Sequence, residues 1–399
     1  MECDIVVIGG AMAGAALAAK LTGAGLRVVV LEAAPQPKAL AEQFDARVVA
    51  LNSASKQLLT EVGAWAHVDQ SRVAPYSQML VWDAEGSGQI DFDVASLKAE
   101  ALGYIVENAN VVHALYQTLQ RNDVPYIAAA RVQDVRLTNG GGAAEVDYLR
   151  DGELHSVSAR LVVAADGAQS FTRKLAGIDT LEWDYAHNAL VCVAQTAKPH
   201  GFTARQRFLT DGPLALLPLQ NREGDSGWHA IVWSCVPARA DALLALDDAA
   251  FQRELSRASE HCLGEIIQVG KRAMLPLKQR HAKVYWRDRI VLIGDAAHTI
   301  HPLAGQGVNL GFADVRALAD ELTRARARGL DLAERSVLER YQRQRLAENV
   351  TMAAAMEGFQ HLFGSKALPL RLLRNAGMSG LAKLPLLKNL IAKQAMGLR

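Results

Sequence analysis

The sequence predicts an α/β protein in which a Rossmann-like domain is interleaved with an antiparallel-sheet domain and followed by C-terminal helices. Three observations carry this. Residues 3–8 (Cys-Asp-Ile-Val-Val-Ile), 13–24 and 27–31 read as strand, helix and strand, the βαβ opening of a parallel sheet. Apolar strands of the same kind return far along the chain, at 161–165 and 289–293. The stretches between them break into short strands separated by turn signals, the texture of antiparallel sheet.

Taken in order, the helix at 13–24 carries small residues on one face, which suits close packing on a sheet. From residue 76 the strands come in pairs. Segments 79–82 and 89–92 flank Glu85-Gly86-Ser87-Gly88, and 132–137 and 145–149 flank Asn139-Gly140-Gly141-Gly142. Strand 161–165 ends in Asp166-Gly167, and 185–285 reads as antiparallel sheet with strands at 189–194, 214–219 and 230–233. After 289–293 the apolar period is helical from Gly305 onward. A first sheet that is left and revisited twice requires interleaved domains. The expected division is 1–75, 100–180 and 285–330 for the Rossmann-like domain, 76–99 and 181–284 for the sheet domain, and 331–399 for the helical region.

The 399 residues include 43 Lys+Arg and 42 Asp+Glu, a net charge of +1, and half are hydrophobic. This excludes disorder, collagen and coiled coil, and it disfavours a nucleic-acid partner. Cys3, Cys192, Cys235 and Cys262 are scattered, with no C-x-x-C, so neither a disulfide framework nor a zinc site is expected and the compartment should be reducing. Glu2 and Asp4 stand where an export signal would carry basic residues. Apolar runs are broken well before the roughly eighteen residues a membrane-crossing helix needs.

Three motifs stand out. Gly9-Gly10-Ala11-Met12-Ala13-Gly14 follows a strand and opens a helix, with Glu32 ending the next strand, a dinucleotide fingerprint that does not by itself distinguish FAD from NAD. Its glycines admit a pyrophosphate, the helix N-terminus offers N–H groups, and the acid suits ribose hydroxyls. Ala11 replaces the second glycine, and the exchange Ala11→Gly should keep or tighten cofactor binding. The second motif is Asp166-Gly167-Ala168-Gln169-Ser170-Phe171-Thr172-Arg173. The third runs from Gly294-Asp295 through His298, His301, Pro302, Gly305, Gly307 and Asn309 to Gly311, with Asp314 following. A carboxylate that can hold a polyol is followed there by a bare loop and a helix N-terminus suited to an electron-rich ring. Asp295, His298 and His301 have the spacing of a metal array, yet the loop explains them better and no metal is expected.

With these motifs, and with Asp45-Ala46-Arg47-Val48, Tyr104-Ile105-Val106-Glu107-Asn108, Trp183-Asp184-Tyr185 and Gln394-Ala395-Met396-Gly397-Leu398, the chain resembles the flavoprotein aromatic hydroxylases. These are the para-hydroxybenzoate-hydroxylase-like monooxygenases, and the likeness within them is to the ubiquinone-biosynthesis hydroxylases over nearly the whole length. The resemblance implies that Gly9, Ala11, Gly14 and Glu32 hold the ADP half of FAD and that Arg47 lies along the pyrophosphate and flavin. It further implies that Asp166 and Arg173 support FAD and a passing NADPH or NADH, that Asp295 binds the ribityl chain, and that Pro302, Gly305, Gly307 and Asn309 line the isoalloxazine. No second fingerprint unit is present, so the nicotinamide has no domain of its own.

The implied activity is FAD-dependent monooxygenation. NADPH reduces FAD, O2 adds at the flavin C4a carbon as a hydroperoxide, and one oxygen passes to the ring of a polyprenylated phenol or quinol in a pocket that excludes water. Strands 214–219 and 230–233 are expected as pocket walls. His187, Tyr185 and His301 are candidates for a base, with none singled out. Segments 102–108 and 210–213, with Leu368-Pro369-Leu370-Arg371, resemble more the member that hydroxylates 2-polyprenyl-3-methyl-6-methoxy-1,4-benzoquinol (demethoxyubiquinol). Ala204-Arg205-Gln206 and the 395–398 end resemble more the 2-polyprenylphenol hydroxylase. A prenyl-lipid carrier without a redox flavin, a prenyl reductase and a flavin halogenase are the alternatives; no W-x-W-x-I-P stands in the chain to support the last. After Glu357 the chain is basic and apolar without an acid, which suits peripheral contact with the cytoplasmic face of a membrane or with a ubiquinone-biosynthesis complex.

Overall fold

Residues 1–84, 88–97, 99–138, 140–299 and 306–364 are described by the computed structural model. Buried valines and isoleucines at the N-terminus build the centre of an eight-stranded sheet. Strand Glu2–Ile8 lies parallel between Val28–Leu31 and Glu153–Ala164, with Tyr126–Ile127 beyond the first and Ile290–Leu292 beyond the second. Ile5, Val6 and Val7 are wholly buried, as a strand covered on both faces must be. Helix Met12–Gly23 packs on it through Ala15, Ala16, Ala18 and Ala19, short side chains that let helix and sheet approach.

The expected strand at 161–165 is the end of a longer one. Its first half, from Glu153, begins with four exposed residues and alternates only from Val157, because it pairs antiparallel with Ala144–Arg150, itself paired with Arg131–Leu137, at the open edge of the same sheet.

A second sheet has nine strands in the order His298–Thr299, Ala273–Ala282, Thr180–Thr196, Trp228–Cys235, Gly212–Pro218, Thr203–Leu209, Gln78–Asp83 and Gln89–Asp93, with Ile266–Val269 off Thr180–Thr196. All its pairings are antiparallel except that of Thr203–Leu209 with Gln78–Asp83. Helices Pro237–Ala245 and Asp248–Ala258 interrupt what the sequence suggested was continuous sheet. They start at Pro237, which needs no N–H donor there, and at Asp247, whose carboxylate accepts from Ala250 N at 2.7 Å. Both cover the outer face, where Leu190, Leu214, Leu216, Ile231 and Trp233 meet Leu243, Phe251 and Leu255.

Between the two large sheets sits a third, of Val48–Leu51, Gly103–Glu107 and Val73–Tyr76. Its Ala50, Ala74 and Ile105 pack on Val193, Leu219 and Ala230 from the inner face of the nine-stranded sheet. The C-terminal helix Arg335–Gly364 buries Val337, Leu338 and Tyr341 in the core of the first sheet, and its Arg340 pairs with Glu321 of helix Gln306–Ala327 at 2.9 Å. Among the described residues no helix is long and apolar enough to cross a membrane. The expected α/β class, with a parallel-centred sheet interleaved in sequence with an antiparallel one, is what the chain forms.

Candidate functional site

The site begins where strand Glu2–Ile8 stops. Gly9 has φ +102°, and a methyl group there would lie 2.3 Å from Ala165 O. A methyl at Gly14 would lie 1.9 Å from Gly9 O, so only glycine lets the helix start directly behind the strand. Ala11 sits at the N-cap with φ −77°, which any residue adopts, so it replaces the missing glycine without backbone strain. No side chain caps this helix and no acid stands in its first turn, which leaves its N–H groups and positive dipole end open to an anion.

Glu32, at the end of Val28–Leu31, accepts from Gly10 N at 2.6 Å and from Ala34 N at 2.8 Å, and thereby fixes the glycine loop. Gly9, Ala11 and Glu32 line one cleft of about 650 Å³ together with Ala130, Asp166 and Gly167. The first two sequence motifs therefore meet. Asp166 accepts from Ser170 Oγ at 2.5 Å and from Thr172 N at 3.0 Å, so its carboxylate shapes the turn into helix Phe171–Leu175. Arg173 is buried and donates to Ala296 O at 2.8 Å and Ala168 O at 3.2 Å. It ties the second motif to the third rather than standing open to a ligand.

In the third motif Asp295 is solvent-accessible yet recessed; the surrounding protein raises its carboxyl above the ordinary range, with His298 opposing and Asp314 adding to the rise. Asn309 is buried. Its Oδ1 accepts from Asn52 N at 3.1 Å and Ser55 Oγ at 2.6 Å, and its Nδ2 donates to Ala50 O at 2.8 Å, so it fastens the start of helix Gln306–Ala327 to the third sheet. Gly307 borders open space. His301, Pro302 and Gly305 lie outside the described residues, as do the turn residues Glu85, Gly86, Ser87 and Asn139 and the basic stretch from 365.

Arg47 is exposed, with Asp45 Oδ2 3.4 Å from its Nη2. His187 shares the inner face of its strand with Ala189 and Val191, which pack with Ala46. The strands expected as pocket walls present two different faces. Strand side chains alternate, so Leu214, Leu216, Ile231 and Trp233 point outward under the helices, while Leu217, Leu219 and Ala230 face the third sheet.

Sequence reasoning missed a buried network under the third motif. Asp314 accepts from Gly294 N at 2.9 Å and from Arg345 Nε at 2.7 Å, and lies 2.6 Å from His298 Nε2. Burial alone would raise its carboxyl, but His298 and Arg345 prevail and pull it down to about 2. His298 is thereby engaged by Asp314 through Nε2. The signal in the sequence is an acid among the apolar positions of a helix, with its cation 31 residues away.

The residues fit a dinucleotide with an attached ring system: a glycine cradle too tight for a methyl, an uncapped helix start and an accessible carboxylate at strand ends of the first sheet, with an exposed arginine at the start of the third. Comparisons agree. The FAD binding domain family is matched over residues 2–355. The chain is 38% identical to the 3-demethoxyubiquinol 3-hydroxylase of Escherichia coli K12, covering 99% of this chain and 98% of that one. It is 33% identical to the ubiquinone hydroxylase UbiL of Rhodospirillum rubrum, covering 99% and 89%. It is 33% identical to the mitochondrial ubiquinone biosynthesis monooxygenase COQ6 of Danio rerio, covering 97% and 88%. The p-nitrophenol 4-monooxygenase PnpA of Pseudomonas putida DLL-E4 shares the fold at TM-score 0.78 and 20% identity, covering 100% and 99%. PqsL of Pseudomonas aeruginosa, a probable FAD-dependent monooxygenase, does so at 0.77 and 23%, covering 95% and 100%.

Proposed function

Because this chain belongs to the FAD binding domain family and, within it, to the ubiquinone-biosynthesis hydroxylases, we propose that it hydroxylates the ring of demethoxyubiquinol. It is an FAD-dependent monooxygenase that uses O2 and NADPH or NADH. The observation that carries the substrate reading is the likeness, along the full length of both chains, to a 3-demethoxyubiquinol 3-hydroxylase. A 2-polyprenylphenol is the second reading, favoured by the Ala204-Arg205-Gln206 segment.

Bound FAD supplies hydride acceptance from the nicotinamide and activation of O2. The chain supplies the rest. Gly9, Ala11, Gly14 and the uncapped start of helix Met12–Gly23 receive the pyrophosphate, Glu32 the adenosine ribose, Arg47 the phosphate charge and Asp295 the ribityl hydroxyls. Gly307 would border the isoalloxazine, and Asn309 acts by holding the start of helix Gln306–Ala327 against the third sheet. Asp166 shapes the turn of the second motif, and Arg173 ties that motif to the third. Half-buried Leu217 gives the substrate side an apolar side chain that helps exclude water, with Leu219 and Ala230 packed on the third sheet beside it, so that reduced cofactor is spent on the ring and not on peroxide release. His187 is the described candidate for holding the proton of the substrate hydroxyl. The basic 365–399 stretch would bring the protein to a cytoplasmic membrane face or to partner enzymes, where a prenylated quinol resides.

The test separates an enzyme from a prenyl-lipid carrier. Purified protein should be yellow and bleach with NADPH under anaerobic conditions; a colourless protein that binds prenylquinol would overturn the reading.

A further inference from the structure

The chain between Val28–Leu31 and Val48–Leu51 has no regular structure, is largely exposed, and carries Glu32 near one end and Arg47 near the other. Its second half is pinned by one buried side chain. Arg72 donates through Nη1 to Ala41 O at 3.1 Å and Glu42 O at 3.0 Å, and through Nη2 to Gln43 O at 3.4 Å. Its remaining N–H groups go to Glu107, Nε to Oε2 at 2.9 Å and Nη2 to Oε1 at 2.7 Å. Glu107 Oε1 also accepts from Asp45 N at 2.7 Å. The guanidinium of Arg72 lies 4.4 Å from the ring of Phe44, which in turn packs 5.8 Å from the ring of Trp228. Asp45 then accepts from Arg47 N at 2.9 Å, and Asn108 N donates to Arg47 O at 3.0 Å.

The two charged side chains are 3% and 1% exposed. An apolar pair would fill such a space at lower desolvation cost, so the pair is best understood by what it holds. All the N–H groups of Arg72 end on the loop or on Glu107, and both partners reach the backbone that presents Arg47. A loop ordered in advance binds without losing that freedom on association.

We propose that Arg72 and Glu107 are positioning residues for Arg47, fixing the 41–47 backbone so that the Arg47 guanidinium meets the cofactor's pyrophosphate. This rests on the reading that Arg47 binds that group. The test is a double-mutant cycle on FAD affinity, followed by flavin fluorescence on full-length apoprotein, with trypsin cleavage after Lys38 as an independent readout. Arg72→Met should weaken FAD binding roughly tenfold when Arg47 is present and less than about twofold in an Arg47→Ala background. Cleavage after Lys38 should quicken severalfold in both. If Arg72→Met does not fold, Glu107→Gln takes its place, because it keeps an acceptor for Asp45 N and loses only the charge. Equal weakening in both backgrounds would show a merely structural role and overturn the proposal, as would unchanged cleavage. An Arg47→Ala variant with unaltered FAD affinity would remove the reading of Arg47 itself, a failure distinct from an additive cycle.

Discussion

Arg345 Nε donates to Asp314 Oδ1 at 2.7 Å with both side chains almost fully buried, so the C-terminal helix is locked to the segment that carries Asp295. Removing Asp314 leaves buried Arg345 with only the partly exposed Glu348 as counter-charge. Asp314→Asn should cost about 3–5 kcal/mol of stability by denaturant unfolding, whereas exchange of exposed Arg335 for Ala should change stability by less than about 0.5 kcal/mol despite its pair with Glu339.

The same carboxyl sets a pH dependence. Its folded value, about 2, lies below that of an unfolded aspartate. Its contribution is therefore complete above about pH 5 and is lost as pH falls toward 2, amounting to roughly 2 kcal/mol. The melting-temperature gap between wild type and Asp314→Asn should narrow as pH falls through that interval.

Gly14 offers a test of sign. In an ordinary helix interior Gly→Ala stabilises by about 1 kcal/mol. Here the added methyl meets Gly9 O at 1.9 Å, so Gly14→Ala should lower the melting temperature and weaken FAD binding by at least about tenfold. Ala11→Gly, at a position of ordinary φ, should leave FAD affinity the same or tighter. A melting temperature raised by Gly14→Ala would mean that the close approach does not exist.

Leu216 and Leu217 are neighbours with opposite roles. Leu216→Ala empties the outer core and should cost about 2–5 kcal/mol in stability with coupling of NADPH use to hydroxylation intact. Leu217→Ala, half-buried on the inner face, should leave stability within about 1.5 kcal/mol and raise the fraction of NADPH that ends as hydrogen peroxide. Peroxide yield and product measured together distinguish the two.

How much of this was legible in the sequence depended on whether the cause was local. The strands at 3–8, 27–31 and 161–165 and the helix at 13–24 are dictated by their own apolar pattern, and Gly9, Ala11, Glu32 and Asp166 do meet in one cleft. The facing of Leu214–Pro218 side chains is decided by helices Pro237–Ala245 and Asp248–Ala258, whose starts at Pro237 and Asp247 lie inside a stretch that otherwise reads as sheet. Asn309 and Arg173 carry the right chemistry for a ligand, yet their hydrogen-bonding groups are engaged by Ala50, Asn52, Ser55, Ala168 and Ala296, partners brought near only by the fold. Arg72–Glu107 and Asp314–Arg345 are separated by 35 and 31 residues, and no short-range pattern announces them.

Oxygen transfer to a prenylated ring can be followed directly. FAD-loaded protein should be incubated with NADPH and ¹⁸O₂ beside short-tail demethoxyubiquinol and short-tail 2-polyprenylphenol, and the quinone lipids weighed by mass spectrometry. One labelled oxygen atom in the demethoxyubiquinol product is the predicted result. NADPH consumed with no label in either lipid would contradict it.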